Sequence, residues 1–116
     1  MILIIDAMFD RDPAFPRFPW PLEPIQDFCR RWKIVELAAF GSVLREDFRP
    51  DSDLDFLVRF APDARWSLFD HARMERELEE LLGRAVDLVS RSAVERSLNW
   101  IRREEILGTA RTLYAA

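Results

Sequence analysis

The chain has 116 residues, 49% of them hydrophobic and 33% charged, with a net charge of −4. That length suits one compact core burying roughly two thirds of the unfolded surface, with no room for a second domain, and the composition is that of a soluble globular protein. The acidic balance argues against an extended nucleic-acid surface, which a basic patch ordinarily marks, but allows a nucleotide bound locally.

The opening MILIIDAMF is apolar yet has no basic leader, is interrupted by Asp6, and is too short for a signal core or a membrane span, so no export and no membrane partner are expected. Prolines at 13, 16, 19, 21 and 24 exclude a regular helix or a central strand there. Residues 1–21 are therefore read as a proline-rich extension outside the core, and 22–116 as the domain. The head of the extension could pair as an edge strand, dock in a groove, or come from an upstream start codon. A single cysteine, Cys29, excludes an internal disulfide; it reads as a small buried residue, and a reducing cytoplasm is the simplest location.

Ile25, Phe28, Cys29 and Trp32 recur at i, i+3, i+4 and i+7, which predicts a helix over 24–32 with Pro24 at its first position. The period then changes. An apolar run broken only by Glu36 predicts a strand over 34–40, ending at Gly41. Ser42 is a helix N-cap candidate, with one or two turns to about Asp47 before Pro50 stops them. Alternation predicts a strand over 53–60. A helix over 67–82 is expected to bury Leu68, Phe69, Ala72, Leu78, Leu81 and Leu82 and to pair Arg73 with Glu77 and Arg76 with Glu80 on its wet side, with Gly83 as its cap. A third strand follows over 85–89, and 92–114 reads as mostly helical with a break near Gly108. The fold class is α/β (α+β), a small mixed sheet flanked by helices.

The chemistry concentrates in GSVLREDFRPDSDLDFLV, residues 41–58. Residues two apart share a face of a strand, so Asp53 and Asp55 project together while Leu54, Phe56 and Val58 face the packing. At about 4 Å and an effective dielectric near 20, two carboxylates repel by about 4 kcal/mol before screening, and a cation, a shared proton or solvent must offset this. Aspartate oxygens suit Mg²⁺ or Mn²⁺, which leave positions open for water and phosphate. On the other side, Gly41 lets backbone approach a ligand, the helix start at Ser42 offers N–H groups to phosphate, and Arg45 stands about one turn on. Asp87, between Val86 and Leu88 in a strand expected to be central, would be a costly buried charge without a partner. Ser52 is either a turn serine or a ligand contact. His71 lacks a second histidine for zinc and reads as structural or solvated. Tryptophans 20, 32, 66 and 100 read as core or interface anchors.

An apolar strand, Gly-Ser, a spacer, then Asp-x-Asp within a second apolar strand resembles the DNA polymerase β nucleotidyltransferase superfamily. More narrowly, the stretch resembles the minimal nucleotidyltransferase (MNT) antitoxins that pair with HEPN toxins. The similarity runs from about Leu22 to the C-terminus. Many relatives carry glycine after the arginine, where this chain has Glu46 and Asp47. The resemblance implies a polymerase β-like fold, two Mg²⁺ ions on Asp53, Asp55 and Asp87, with Asp87 also accepting the proton of the attacking hydroxyl. It implies ATP held by Gly41, Ser42, Arg45 and Ser52, and AMP transfer to a tyrosine of a HEPN-type ribonuclease toxin in a hetero-oligomer. A purely binding antitoxin and a small-molecule nucleotidyltransferase are the rival readings.

Overall fold

The computed structural model describes residues 18–44, 49 and 51–116. The elements are α1 (Leu22–Arg31), β1 (Ile34–Phe40), a 3-10 turn (Gly41–Leu44), β2 (Leu54–Phe60), α2 (Leu68–Leu82), β3 (Val86–Ser90), α3 (Arg91–Glu95), α4 (Trp100–Thr109) and β4 (Arg111–Ala115). The four strands form one sheet in the order β3-β2-β1-β4. β1 is antiparallel to both β2 and β4, whereas β2 and β3 are parallel. A parallel pair needs a long crossover, and α2 supplies it. No helix among the described residues is long and apolar enough to cross a membrane.

Local chemistry sets the boundaries. α1 begins at Leu22, two residues before the expected start, so Pro24 occupies its third position, where no intrahelical N–H is lost. Lys33, at φ 55°, turns the chain from α1 into β1. α2 opens on a capping box: the Ser67 hydroxyl accepts from the Asp70 N–H at 3.1 Å, and the Asp70 carboxylate accepts from the Ser67 N–H at 2.9 Å. It closes on Gly83, left-handed at φ 73°, whose N–H donates to Glu79 O at 2.8 Å.

The main core lies between the sheet and α1 and α2. Ile25, Phe28 and Cys29 from α1, Leu37, Leu54, Phe56 and Leu113 from the sheet, and Met74 and Leu78 from α2 are all fully buried. Burial pushes the Cys29 thiol up to about 12, so it stays protonated and inert. On the opposite face a smaller cluster joins Ala38, Phe40 and Leu57 to Val94 of α3 and Ile106 of α4. β1 and β2 are thus covered on both faces, which explains their nearly unbroken apolar runs.

Several expectations are corrected. Residues 111–115 form a strand, not the end of a helix: β1 has a second edge whose backbone needs partners, and Thr112, Leu113 and Tyr114 suit a pleated surface. Leu68 and Phe69 are 89% and 83% exposed, and Ala72 is exposed too. They fall off the stripe Met74, Leu78, Leu81 and Leu82, whose i, i+4, i+7, i+8 spacing faces the core. Glu77 does not pair with Arg73. It accepts from Arg31 Nη1 and Nη2 at 3.1 and 2.8 Å and from the Trp32 indole at 3.2 Å. Arg73 lies 5.8 Å above the Trp32 ring, and Arg76 and Glu80 form no ion pair with each other. Phe18 belongs to the core and Trp20 packs edge-on against Phe56 at 6.0 Å, so the last residues of the proline-rich stretch do not stay off the core. Trp32 and Trp66 also pack there, but Trp100 is 62% exposed.

The outer edge of β3 is closed by polar side chains of α2. Glu79 accepts the Val86 N–H at 3.0 Å, Glu75 accepts the Leu88 N–H at 2.8 Å, and His71 Nε2 lies 2.7 Å from Leu88 O. The step of four from Glu79 to Glu75 along the helix matches the step of two from Val86 to Leu88 along the strand, and the next step of four brings His71 to the carbonyl of Leu88. His71 is therefore structural, and the edge is covered as sheet edges need to be.

Candidate active site

β1 ends where the chain must turn sharply past a carboxylate. Gly41 has φ +79°, and a Cβ there would stand 2.5 Å from Asp55 Oδ2. Glycine is required twice over, by the left-handed backbone and by the close approach. The pairing of Phe40 with Asp55 in the antiparallel ladder brings these two residues together. Ser42 sits in a 3-10 turn, not at an α-helix N-cap, and is half-buried. Arg45, Glu46, Asp47 and the Pro50 turn lie outside the described residues, as does the extension up to residue 17.

Asp55 faces Asp87 in the register of the parallel β2–β3 pair, so both project from the sheet face that carries Leu57 and Val89. Asp53 precedes β2, in phase with Asp55, and is exposed. The expectation of a central strand at Asp87 is corrected: β3 is an edge strand, Asp87 is exposed, and no burial cost forces a partner on it. Ser52 closes a turn, its Oγ accepting from the Arg49 N–H at 2.9 Å and its N–H donating to Arg49 O at 3.0 Å. Arg84 Nη1 ties that turn to the start of β3 by donating to Arg49 O at 2.9 Å and Ser52 O at 3.0 Å.

A cavity of about 540 Å³ opens beside Asp55, within the range of small-molecule sites. One wall is Phe40, Gly41, Ser42, Leu44 and Asp55; the other is Arg102, Glu105, Ile106 and Thr109 of α4, with Arg111 of β4. Sequence reasoning missed this second wall. Its signal is the spacing 102, 105, 106, 109, one face of a helix, which gains meaning only once α4 is known to cross this side of the sheet.

Among the described residues, no three His, Cys, Asp or Glu side chains converge tightly enough to hold a metal ion by themselves. The donor set still fits Mg²⁺, which takes one or two carboxylates and completes its shell with waters and substrate phosphates. Asp55 and Asp87, adjacent in register beside a cleft that a Cβ at Gly41 would crowd, offer that minimum.

Known proteins share this fold. A family model described as "Nucleotidyltransferase domain" matches residues 23–111. Protein adenylyltransferase MntA of Thermococcus cleftensis is 38% identical over 70 residues, which cover 60% of this chain and 69% of that protein. A solved structure assigned to the minimal nucleotidyltransferases is 42% identical, with a TM-score of 0.59 over 77% of this chain and 85% of that one. Two toxin–antitoxin complexes share the fold at low identity. One, with AMP-PNP, is 19% identical with a TM-score of 0.64 over 84% of this chain and 75% of that one. The other, an MNT antitoxin with a tri-AMPylated Shewanella oneidensis HEPN toxin, is 20% identical with a TM-score of 0.55 over 82% and 70%. The family model spans well over half of the chain and agrees with the four-stranded mixed sheet, so this protein belongs to the nucleotidyltransferase domain family and has the minimal nucleotidyltransferase fold.

Proposed function

We propose that this protein transfers AMP from ATP to a hydroxyl of a partner protein, a tyrosine of a HEPN-type toxin, and so acts as its antitoxin in the cytoplasm. The observation that carries the reading is the packing of Asp55 against Gly41 at the mouth of the cleft, with Asp87 beside it in register. The adenylyltransferase name of the Thermococcus relative and the AMPylated toxin held in one structural neighbour support the choice of AMP and of a protein acceptor.

In the reaction, the acceptor oxygen bonds to the α-phosphorus, the bond from that phosphorus to the bridging oxygen of the β-phosphate breaks, and pyrophosphate leaves with its electrons. Two Mg²⁺ ions held by Asp53, Asp55 and Asp87 would supply Lewis-acid chemistry, making the hydroxyl more acidic and offsetting triphosphate charge. Asp87 takes the hydroxyl proton in this reading, and its exposure on the edge strand supports an acceptor arriving from solvent. Gly41 and Ser42 present the turn after β1 to the phosphates, and Gly41 leaves the space that Asp55 needs. Ser52 acts by holding its turn and Arg45 by adding a cation to the phosphate side. Such a site positions groups and charges more than it makes bonds to them.

The test is Mg²⁺-dependent transfer of label from α-labelled ATP to a purified HEPN-type partner. Asp53→Asn and Asp55→Asn should each stay folded and lose at least a hundredfold in transfer. Transfer within a few-fold of wild type in either variant would overturn the mechanism. Toxin neutralisation that survives the loss of transfer would assign the inhibition to binding alone.

A further inference from the structure

The cleft has an anionic side and a cationic side. Asp55 lines it, Asp87 lies on the same sheet face in register with Asp55, and Asp53 just precedes β2. Across the cavity, α4 and the start of β4 contribute Arg102 and Arg111 against the single carboxylate of Glu105. A triphosphate whose metal-bearing oxygens turn towards the aspartates leaves its other oxygens facing this second wall. Those oxygens need donors there.

We infer that Arg102 grips the β- and γ-phosphates of the nucleotide, which makes α4 the second half of the triphosphate site. This inference rests on the nucleotide reading of the cleft. Most arginines that contact the fold are already engaged: Arg31 with Glu77, Arg91 with Glu36, Arg84 with the 49–52 turn, and Arg103 with Ser97 O. Arg102 is different. Its backbone N–H is held by the Asn99 cap at 3.1 Å, which fixes the first turn of α4, while its guanidinium makes no hydrogen bond or ion pair among the described residues. A planar fork of donors on a helix, exposed at the border of the cleft and otherwise uncommitted, matches a phosphate group better than a lysine would.

Glu105, one turn further along the same wall, repels phosphate and leaves the Arg102 end as the place for the most highly charged part of the ligand. Thr109 does not compete, because its hydroxyl donates to Glu105 O. Pyrophosphate is also the leaving group, so a cation at this position stabilises charge that grows as the bond to the α-phosphorus breaks.

The experiment uses the full chain and four measurements: dissociation constants for Mg-ATP and for Mg-pyrophosphate by calorimetry, the melting temperature without ligand, and label transfer to the partner. Arg102→Ala should weaken both ligands about tenfold or more, in line with the loss of a charge-assisted hydrogen bond, and leave the unliganded melt unchanged. Arg102→Lys should fall between it and wild type. Arg96→Ala, which removes an exposed arginine outside the cleft, should bind as wild type does. Binding by Arg102→Ala within twofold of wild type overturns the inference while leaving the transferase reading in place. Equal losses in Arg96→Ala and Arg102→Ala also overturn it, because they would reflect overall charge. A wild-type chain that binds no Mg-ATP removes both the inference and the function beneath it.

Discussion

On the α1/α2 side of the sheet, Phe28, Phe56, Met74, Leu78 and Leu113 are fully excluded from solvent, whereas on the α3/α4 side burial reaches only Ala38, Phe40, Leu57, Val94 and Ile106, and the cleft opens beside them. The same two strands serve both. β2 sends Leu54, Phe56 and Val58 into the thick core and Asp55 and Leu57 to the thin one. The period-two alternation of a strand thus separates the packed core from the candidate site within seven residues. Carboxylates that would be ruinous on the packed face are tolerated where the cover is partial and water can reach them.

The largest effect expected from this division is on stability. Phe56→Ala empties a fully buried aromatic site on the thick side and should cost about 3–5 kcal/mol. Leu57→Ala, its neighbour on the thin side, should cost nearer about 2 kcal/mol, because short α3 and the edge of the cleft can relax into the space. Urea denaturation of both variants compares the faces directly. A Leu57→Ala loss equal to that of Phe56→Ala would show the thin face to be as tightly packed as the thick one, and the division would fail.

A glycine pair sharpens the comparison at the boundary. Gly41 and Gly83 both have positive φ, 79° and 73°, but a Cβ at Gly83 meets nothing within 4 Å, whereas one at Gly41 meets Asp55. Gly83→Ala should cost only the left-handed penalty, about 1 kcal/mol. Gly41→Ala adds the clash, for a total of about 2–3 kcal/mol, and it should also weaken Mg-ATP by moving the Asp55 carboxylate. Melts and nucleotide titrations on both variants separate the terms. Equal losses at the two positions would mean that Asp55 yields easily and that its place against Gly41 is not a built feature.

Three of the four strands, the two helices with strong periods, and the succession of Gly-Ser and Asp-x-Asp were legible because each is a local pattern: an apolar period, a cap, a turn residue. What stayed hidden depends on partners distant in the chain. β4 takes its conformation from the open edge of β1, and the Arg102, Glu105 and Thr109 wall exists only because α4 crosses a particular face. His71 was read as structural or solvated, and nothing local marked Glu75 and Glu79, yet all three close the edge of β3 and so hold the strand that bears Asp87. For Asp87, burial in a central strand was expected, whereas it is exposed on an edge strand and what distinguishes it is its register with Asp55.

The smallest expected effect tests whether charge contributes to the thick face at all. Glu77 on α2 takes two hydrogen bonds from Arg31 at the end of α1 and a third from Trp32, and the Arg31 hydrogen bonds are the main cause that holds its carboxyl below the usual range, against partial burial that pushes the other way. Arg31 is 56% exposed and Glu77 33%, so screening limits what the pair can give. A carboxyl whose folded pKa is depressed stabilises the fold above its unfolded value, near about 4.3, and that contribution fades as pH falls through the lower folded value. Glu77→Gln should therefore cost about 0.5–1 kcal/mol at pH 7, less in high salt, and the difference from wild type should shrink steadily below about pH 4. Denaturation at pH 7, 5 and 3 follows the trend. A difference that persists undiminished at pH 3 would assign the loss to neutral hydrogen bonds and packing around Trp32, leaving the thick face without a contribution from charge and the contrast with the charged cleft sharper still.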